Sequence, residues 1–107
     1  MAILVPLLIL LQGTTDLQAE AAAQNDALNQ CIEREVRGAD ADLQGDALAS
    51  YVTDACAEER MTLRSTAIAL MTGAGRQQES AESFFDTNYA RHLGELLIEI
   101  QADMEGR

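Results

Sequence analysis

The stretch GADADLQGD, residues 38–46, holds three aspartates and two glycines in nine residues. Two readings of it imply different folds. Read as an EF-hand calcium loop, the pattern D-x-[DN]-x-[DN]-G starts at Asp40 and takes Asp42, Gln44 and Gly45 in turn. Position 12, where a bidentate Glu is required, is Tyr51, and position 5 is Gln44 rather than Asp. Asp40, Asp42 and Gln44 are therefore weak calcium candidates with an incomplete ligand set. Read as an ordinary turn, Gly38 stops one helix and Asp46 caps the next. The aspartates then keep the turn hydrated.

Working outward from the turn, apolar residues recur at helical spacing on both sides. A first helix is predicted from Ala22 to Arg37, with Leu28, Cys31, Ile32 and Val36 on one face and Ala27 beside them. A second follows Asp46 and carries Leu48, Val52, Ala55, Cys56, Leu63, Ala67 and Leu70 before Gly73 and Gly75 end it. A third follows Ser80 as N-cap, with Phe84, Phe85, Tyr89, Leu93, Leu96, Leu97, Ile100 and Met104 as its stripe. Gly94 weakens that helix by about 1 kcal/mol relative to Ala. No segment alternates with period two for long.

In an antiparallel hairpin, residues equidistant from the turn meet. Cys31 and Cys56 lie symmetrically about the acidic stretch, and small Ala27 and Ala55 beside them allow close approach. A bridge would close a loop of 26 residues, worth about 3.5 kcal/mol in the chain-entropy model. Helices splayed by about 90° around a calcium loop would hold the sulfurs about 16 Å apart, too far to bond. The bridge and the calcium loop exclude each other, and the bridge is the expectation. No zinc site is expected: two cysteines and the single distant His92 give no four-ligand spacing.

The chain has 107 residues, enough for one domain. Apolar content is 48%, but much of it is alanine, so the core must rest on few large side chains. Net charge is −11, with 18 acidic residues against seven arginines and no lysine. That field repels phosphate backbones and anionic lipid headgroups, so nucleic-acid binding is not expected.

Ile3 to Leu11 is wholly apolar, including Pro6, and too short to span a bilayer. It fits the apolar core of a secretory signal, and Ala19-Glu20-Ala21 fits its cleavage site. Residues 1–21 are thus expected to be a signal peptide and 22–107 a single helical domain, with no stable membrane span after processing. The signal lacks an N-terminal Lys or Arg, so it is atypical or its start lies upstream. Removing Asp16 and Glu20 with it would leave 16 acidic groups against seven Arg. The expected location is periplasmic or secreted.

The apolar leader together with CIEREVR at 31–37 and DACAEER at 54–60 resembles small exported two-cysteine helical proteins of bacteria. The resemblance implies a helical hairpin bridged by Cys31–Cys56 and no particular activity. Small periplasmic acid-stress chaperones are also two-cysteine helical proteins, though with the cysteines spaced farther apart. The expected fold is all-α: a disulfide-stapled antiparallel hairpin with a third helix packed across it, a three-helix bundle.

His92, with Tyr89 and Glu95 at i±3, is the one acid–base candidate, but no phosphate loop or nucleophile elbow accompanies it. A small hydrolase using His92 is the weakest reading. Glu58-Glu59-Arg60 and Glu33-Arg34-Glu35 read as solvated faces. The third helix is apolar over more than one stripe, so Phe84, Phe85, Leu97 and Ile98 are interface candidates for a protein partner or a homodimer. A non-catalytic binding or structural protein without cofactor is the leading expectation. A stress chaperone loosened by acid, when neutralised carboxyls leave the chain positive, is the alternative.

Overall fold

The computed structural model describes residues 4–106, with side chains described from Asp16 onward. The described residues form four helices: α1 (Leu4–Gly38), α2 (Gly45–Ala55), α3 (Ala57–Gly73) and α4 (Gln78–Glu105). Cys31 and Cys56 are joined by a disulfide, with their Cα atoms 6.0 Å apart. The all-α fold with its staple stands; the count of three helices is corrected to four.

The extra helix comes from an interruption at Cys56. This residue has φ −105° and ψ 24°, outside helical geometry. The ladder continues on either side of it: the Cys56 N–H donates to the Val52 carbonyl at 2.9 Å, and the Cys56 carbonyl accepts from the Arg60 N–H at 2.9 Å. No Gly or Pro in DACAEER marks the break. It falls on the residue that carries the cross-link.

α1 is longer than expected. It runs unbroken through Ala19–Ala21, where the helix was expected to begin only at Ala22. Residues 1–3 of the expected leader lie outside the described residues, as do the side chains of residues 4–15. Among the described residues, no helix is long and apolar enough to cross a membrane. Between Asp16 and Ala27, α1 is mostly exposed, with Leu17, Ala21, Gln24 and Asn25 half-buried. From Leu28 on, Leu28, Cys31, Ile32 and Val36 recur at helical spacing and are all buried.

That buried stripe meets Leu48, Val52 and Cys56 from the second half of the hairpin, and Phe85, Leu93, Leu97 and Ile100 from α4. Each such aliphatic residue contributes about 1.5–3 kcal/mol on full burial. Of the methionines, Met71 packs half-buried against this core, whereas Met61 and Met104 are exposed. Ala27 and Ala55 are also exposed, not enclosed beside the bridge.

The caps differ from expectation in detail. Gln44, with extended backbone, precedes α2, and Asp46 lies in the first turn without capping it. Its carboxylate still faces the positive end of the helix dipole. Gln77 likewise precedes α4 in place of Ser80. Gly38 keeps a negative φ, whereas Gly75 has φ +102°. There the Gly75 N–H donates to Thr72 O at 3.0 Å and the Arg76 N–H to Met71 O at 3.0 Å. This is the Schellman arrangement that needs glycine at the left-handed position.

Candidate functional site

Among the described residues, hydrogen bonds and ion pairs from each of the other helices hold α4 in place across the bundle. Arg64 of α3 grips Asp86 with two hydrogen bonds of 2.9 and 3.1 Å. Arg37 of α1 reaches Asp103 at 2.8 Å. Thr53 of α2 and Tyr89 share a hydrogen bond of 2.8 Å. His92 Nε2 lies 2.9 Å from Asn29 Oδ1 of α1, the amide oxygen accepting. The hydrogen bond from Arg64 holds the Asp86 carboxyl below the usual carboxylate range. None of these partners is visible in the linear sequence, because each pair is separated by a turn or more of chain and set by the docking of whole helices.

With α4 so positioned, a groove of about 560 Å³ opens between α2 and α4. Its walls are Leu48 and Ala49 on one side and Ala90, Leu93, Gly94 and Leu97 on the other. Ile98 lines it too, with the polar side chains of Asp46, Ser50, Thr53 and Gln101 at its margins. Ile98 is 71% exposed, the most exposed large hydrophobic side chain among the described residues. A Cβ at Gly94 would meet nothing within 4 Å, so the glycine leaves space that a larger residue could fill.

The four interface candidates divide. Ile98 and Phe84 face outward, Phe84 with the Arg76 guanidinium 4.5 Å over its ring. Phe85 and Leu97 are buried core residues, which corrects their reading as surface. The reason is the helical period: Phe85, Leu93, Leu97 and Ile100 fall on the face turned to α1 and α3, and Phe84 and Ile98 do not. Phe84 and Ile98 are 14 residues, or about 21 Å, apart along α4. They are two separate apolar points, and only Ile98 adjoins the groove between α2 and α4.

The acid–base candidates come together on one cleft. His92, Tyr89 and Glu95 all line a second opening of about 420 Å³ with Asn25, Asn88 and Arg91. The hydroxyl of Tyr89 is engaged with Thr53, and its ring stacks on Phe85 with centroids 6.4 Å apart. His92 is engaged with Asn29. Among the described residues, no Ser, Thr or Cys lines this cleft beside His92.

The acidic turn is closed on itself. The Asp40 carboxylate accepts from the Asp42 N–H at 3.0 Å, and Leu43 N–H donates to the Asp40 carbonyl at 3.0 Å. Gln44 Nε2 points to the Ala41 carbonyl at 3.5 Å. Gly45, with φ +60°, turns the chain into α2. Asp40, Asp42 and Gln44 are exposed, and among the described residues they do not converge with a third carboxylate on one point.

No protein-family model, curated protein or solved structure matches the chain.

Proposed function

We propose that this chain is an exported, non-catalytic helical module that binds a protein partner in the groove between α2 and α4. The observation that carries the reading is Ile98, exposed at the edge of an apolar groove whose wall includes a glycine with open space above it. Exposed apolar surface of this kind marks interaction sites. The occupant is a segment with an apolar ridge and basic flanks. Its apolar ridge would sit against Leu93 and Leu97, and its cations would meet Asp46 and the strongly negative field of the chain. Export is supported by the Cys31–Cys56 disulfide, which persists in oxidising compartments.

The test is a pull-down and sedimentation comparison of the full chain with Ile98→Glu, using basic amphipathic helical peptides as probes. Binding that falls with Ile98→Glu while helicity is unchanged supports the groove. Equal binding by both forms, or a wild-type dimer that Ile98→Glu converts to monomer, would replace a basic partner by another surface or by a second copy.

A second reading, an acid-stress chaperone, draws on the pairs Arg64–Asp86 and Arg37–Asp103, which tie α4 to α3 and α1. Acid that protonates the two carboxylates would release both ties and expose the inner face of α4. Protection of an aggregating client at low pH, absent at neutral pH, is its signature.

A further inference from the structure

We propose that the Cys31–Cys56 pair, when reduced, forms with Glu59 a binding site for a thiolate-seeking divalent cation of the Zn²⁺ class. The proposal stands apart from the groove and does not need it to have a partner. The two sulfurs and a Glu59 carboxylate oxygen lie within 4.8 Å of one another. Among the described residues this is the one place where three metal-ligating side chains converge. Linear sequence conceals it, because Glu59 sits in what reads as a solvated EER run. The helical turn from Cys56 to Glu59 instead carries the carboxylate back over the bridge.

The surroundings point the same way. Glu59 Oε2 is enclosed and has no hydrogen-bond partner. Gln24 Oε1, on the wall of the same small cleft of about 200 Å³, is also enclosed without a partner. These two buried acceptors have nothing donating to them, even though the Arg60 Nε beside Glu59 in sequence is itself buried without a partner. Buried acceptors of this kind are ordinarily satisfied by a donor, a water or an ion. The cleft has room for water or Gln24 Oε1 to take a fourth position.

The backbone geometry suits both states. Cα atoms 6.0 Å apart also suit two cysteines sharing a tetrahedral ion, whose sulfurs stand about 3.8 Å apart when each bond is about 2.3 Å. Switching needs side-chain movement and little of the backbone. The chemistry balances with a dithiol reductant. The dithiol gives two electrons and two protons to the S–S bond, yielding two thiols and its own disulfide. Binding of the cation then displaces those two protons from Cys31 and Cys56, while Glu59 enters as carboxylate. Two thiolates and a carboxylate are a borderline-soft set that favours Zn²⁺ over Ca²⁺ or Mg²⁺.

The experiment is a Co²⁺ titration of the full chain, read by thiolate-to-cobalt charge-transfer absorption and tetrahedral d–d bands, followed by Zn²⁺ competition. A phosphine keeps one sample reduced, and a second sample keeps its disulfide. The reduced chain should bind one ion, and the disulfide form should show no sulfur–cobalt band. Even outer-shell partners are worth about 10–100-fold in metal affinity, so Glu59→Gln should weaken binding by at least about 100-fold. Circular dichroism covers the case in which reduction unfolds the chain: metal should then restore helicity in the wild type and not in Glu59→Gln. A reduced chain with no sulfur–cobalt band, folded or unfolded, overturns the site. So does a Glu59→Gln variant that binds as tightly as wild type.

Discussion

Ile32 and Ile98 are the same side chain on two helices of one bundle, in opposite circumstances. Ile32 of α1 is 0% exposed, wedged into the seam beside the cross-link; Ile98 of α4 is 71% exposed at the edge of a groove. Both lie in helices rich in apolar residues, so composition does not separate them. Their angular position does. Ile32 adjoins Leu28, Cys31 and Val36 on the one stripe of α1 that meets three other helices. Ile98 lies off the stripe that Leu93, Leu97 and Ile100 turn inward. The bundle has enough large apolar residues to close one seam, and α4 carries more than that seam uses.

The contrast predicts unequal responses to one substitution. Ile32→Ala should destabilise the fold by about 2–5 kcal/mol, since it opens a cavity in a fully enclosed site. Ile98→Ala should stay within about 0.5 kcal/mol of wild type. Denaturant unfolding of both variants checks this, and equal losses would break the comparison.

Gly94 sharpens it from the other side. Gly94→Ala should raise stability by about 0.8–1 kcal/mol, because helix propensity improves and the new methyl meets nothing within 4 Å. Gly94→Leu should keep the fold and obstruct the groove, so that partner binding falls while the melting temperature holds. A variant that melts early would mean that the space above Gly94 is needed by the fold itself.

The smallest effect concerns acid. The carboxyl of Asp86 titrates below its unfolded value because Arg64 donates two hydrogen bonds to it. Its contribution is therefore full above the unfolded aspartate range and is lost as pH falls through the lower folded value. The pair is partly exposed, so Asp86→Asn should lower the melting temperature only modestly at neutral pH. The difference between variant and wild type should shrink to nothing in strong acid. A gap that stays constant with pH would assign the effect to packing and not to charge.

Much of the seam was legible before the structure. The symmetric placement of Cys31 and Cys56 about the acidic turn foretold the cross-link. The stripe of α1 foretold its share of the core, and that of α4 did so at Phe85, Leu93, Leu97 and Ile100 but not at Phe84 and Met104, which are exposed. What escaped is of two kinds. The break at Cys56 has no local signal, because DACAEER contains good helix formers and no breaker. The caps moved to Gln44 and Gln77, with Asp46 and Ser80 left inside the first turns. The candidate sites were legible only in part. Ile98 was identifiable from its angle on the helix, but the groove beside it needed the position of α2. Glu59 was hidden for a related reason: charge in a helical sequence suggests solvent, and only the packing of α1 over α3 encloses its carboxylate.

The Cys31–Cys56 bridge locks α1 to the junction of α2 and α3 and should supply a large share of the stability of a thin core. The measurement that addresses it most directly is thermal unfolding of the oxidised and reduced full chain at neutral pH, with a chelator present so that no metal replaces the bridge. Mass spectrometry of each sample should give an oxidised chain two hydrogens lighter than the reduced one, with a linked Cys31–Cys56 peptide. The reduced chain should be less stable by about 3.5 kcal/mol, a fall in melting temperature on the order of 15–25 °C for a domain of this size. Coincident melting curves, or two freely titrating thiols in the air-oxidised protein, would contradict the account.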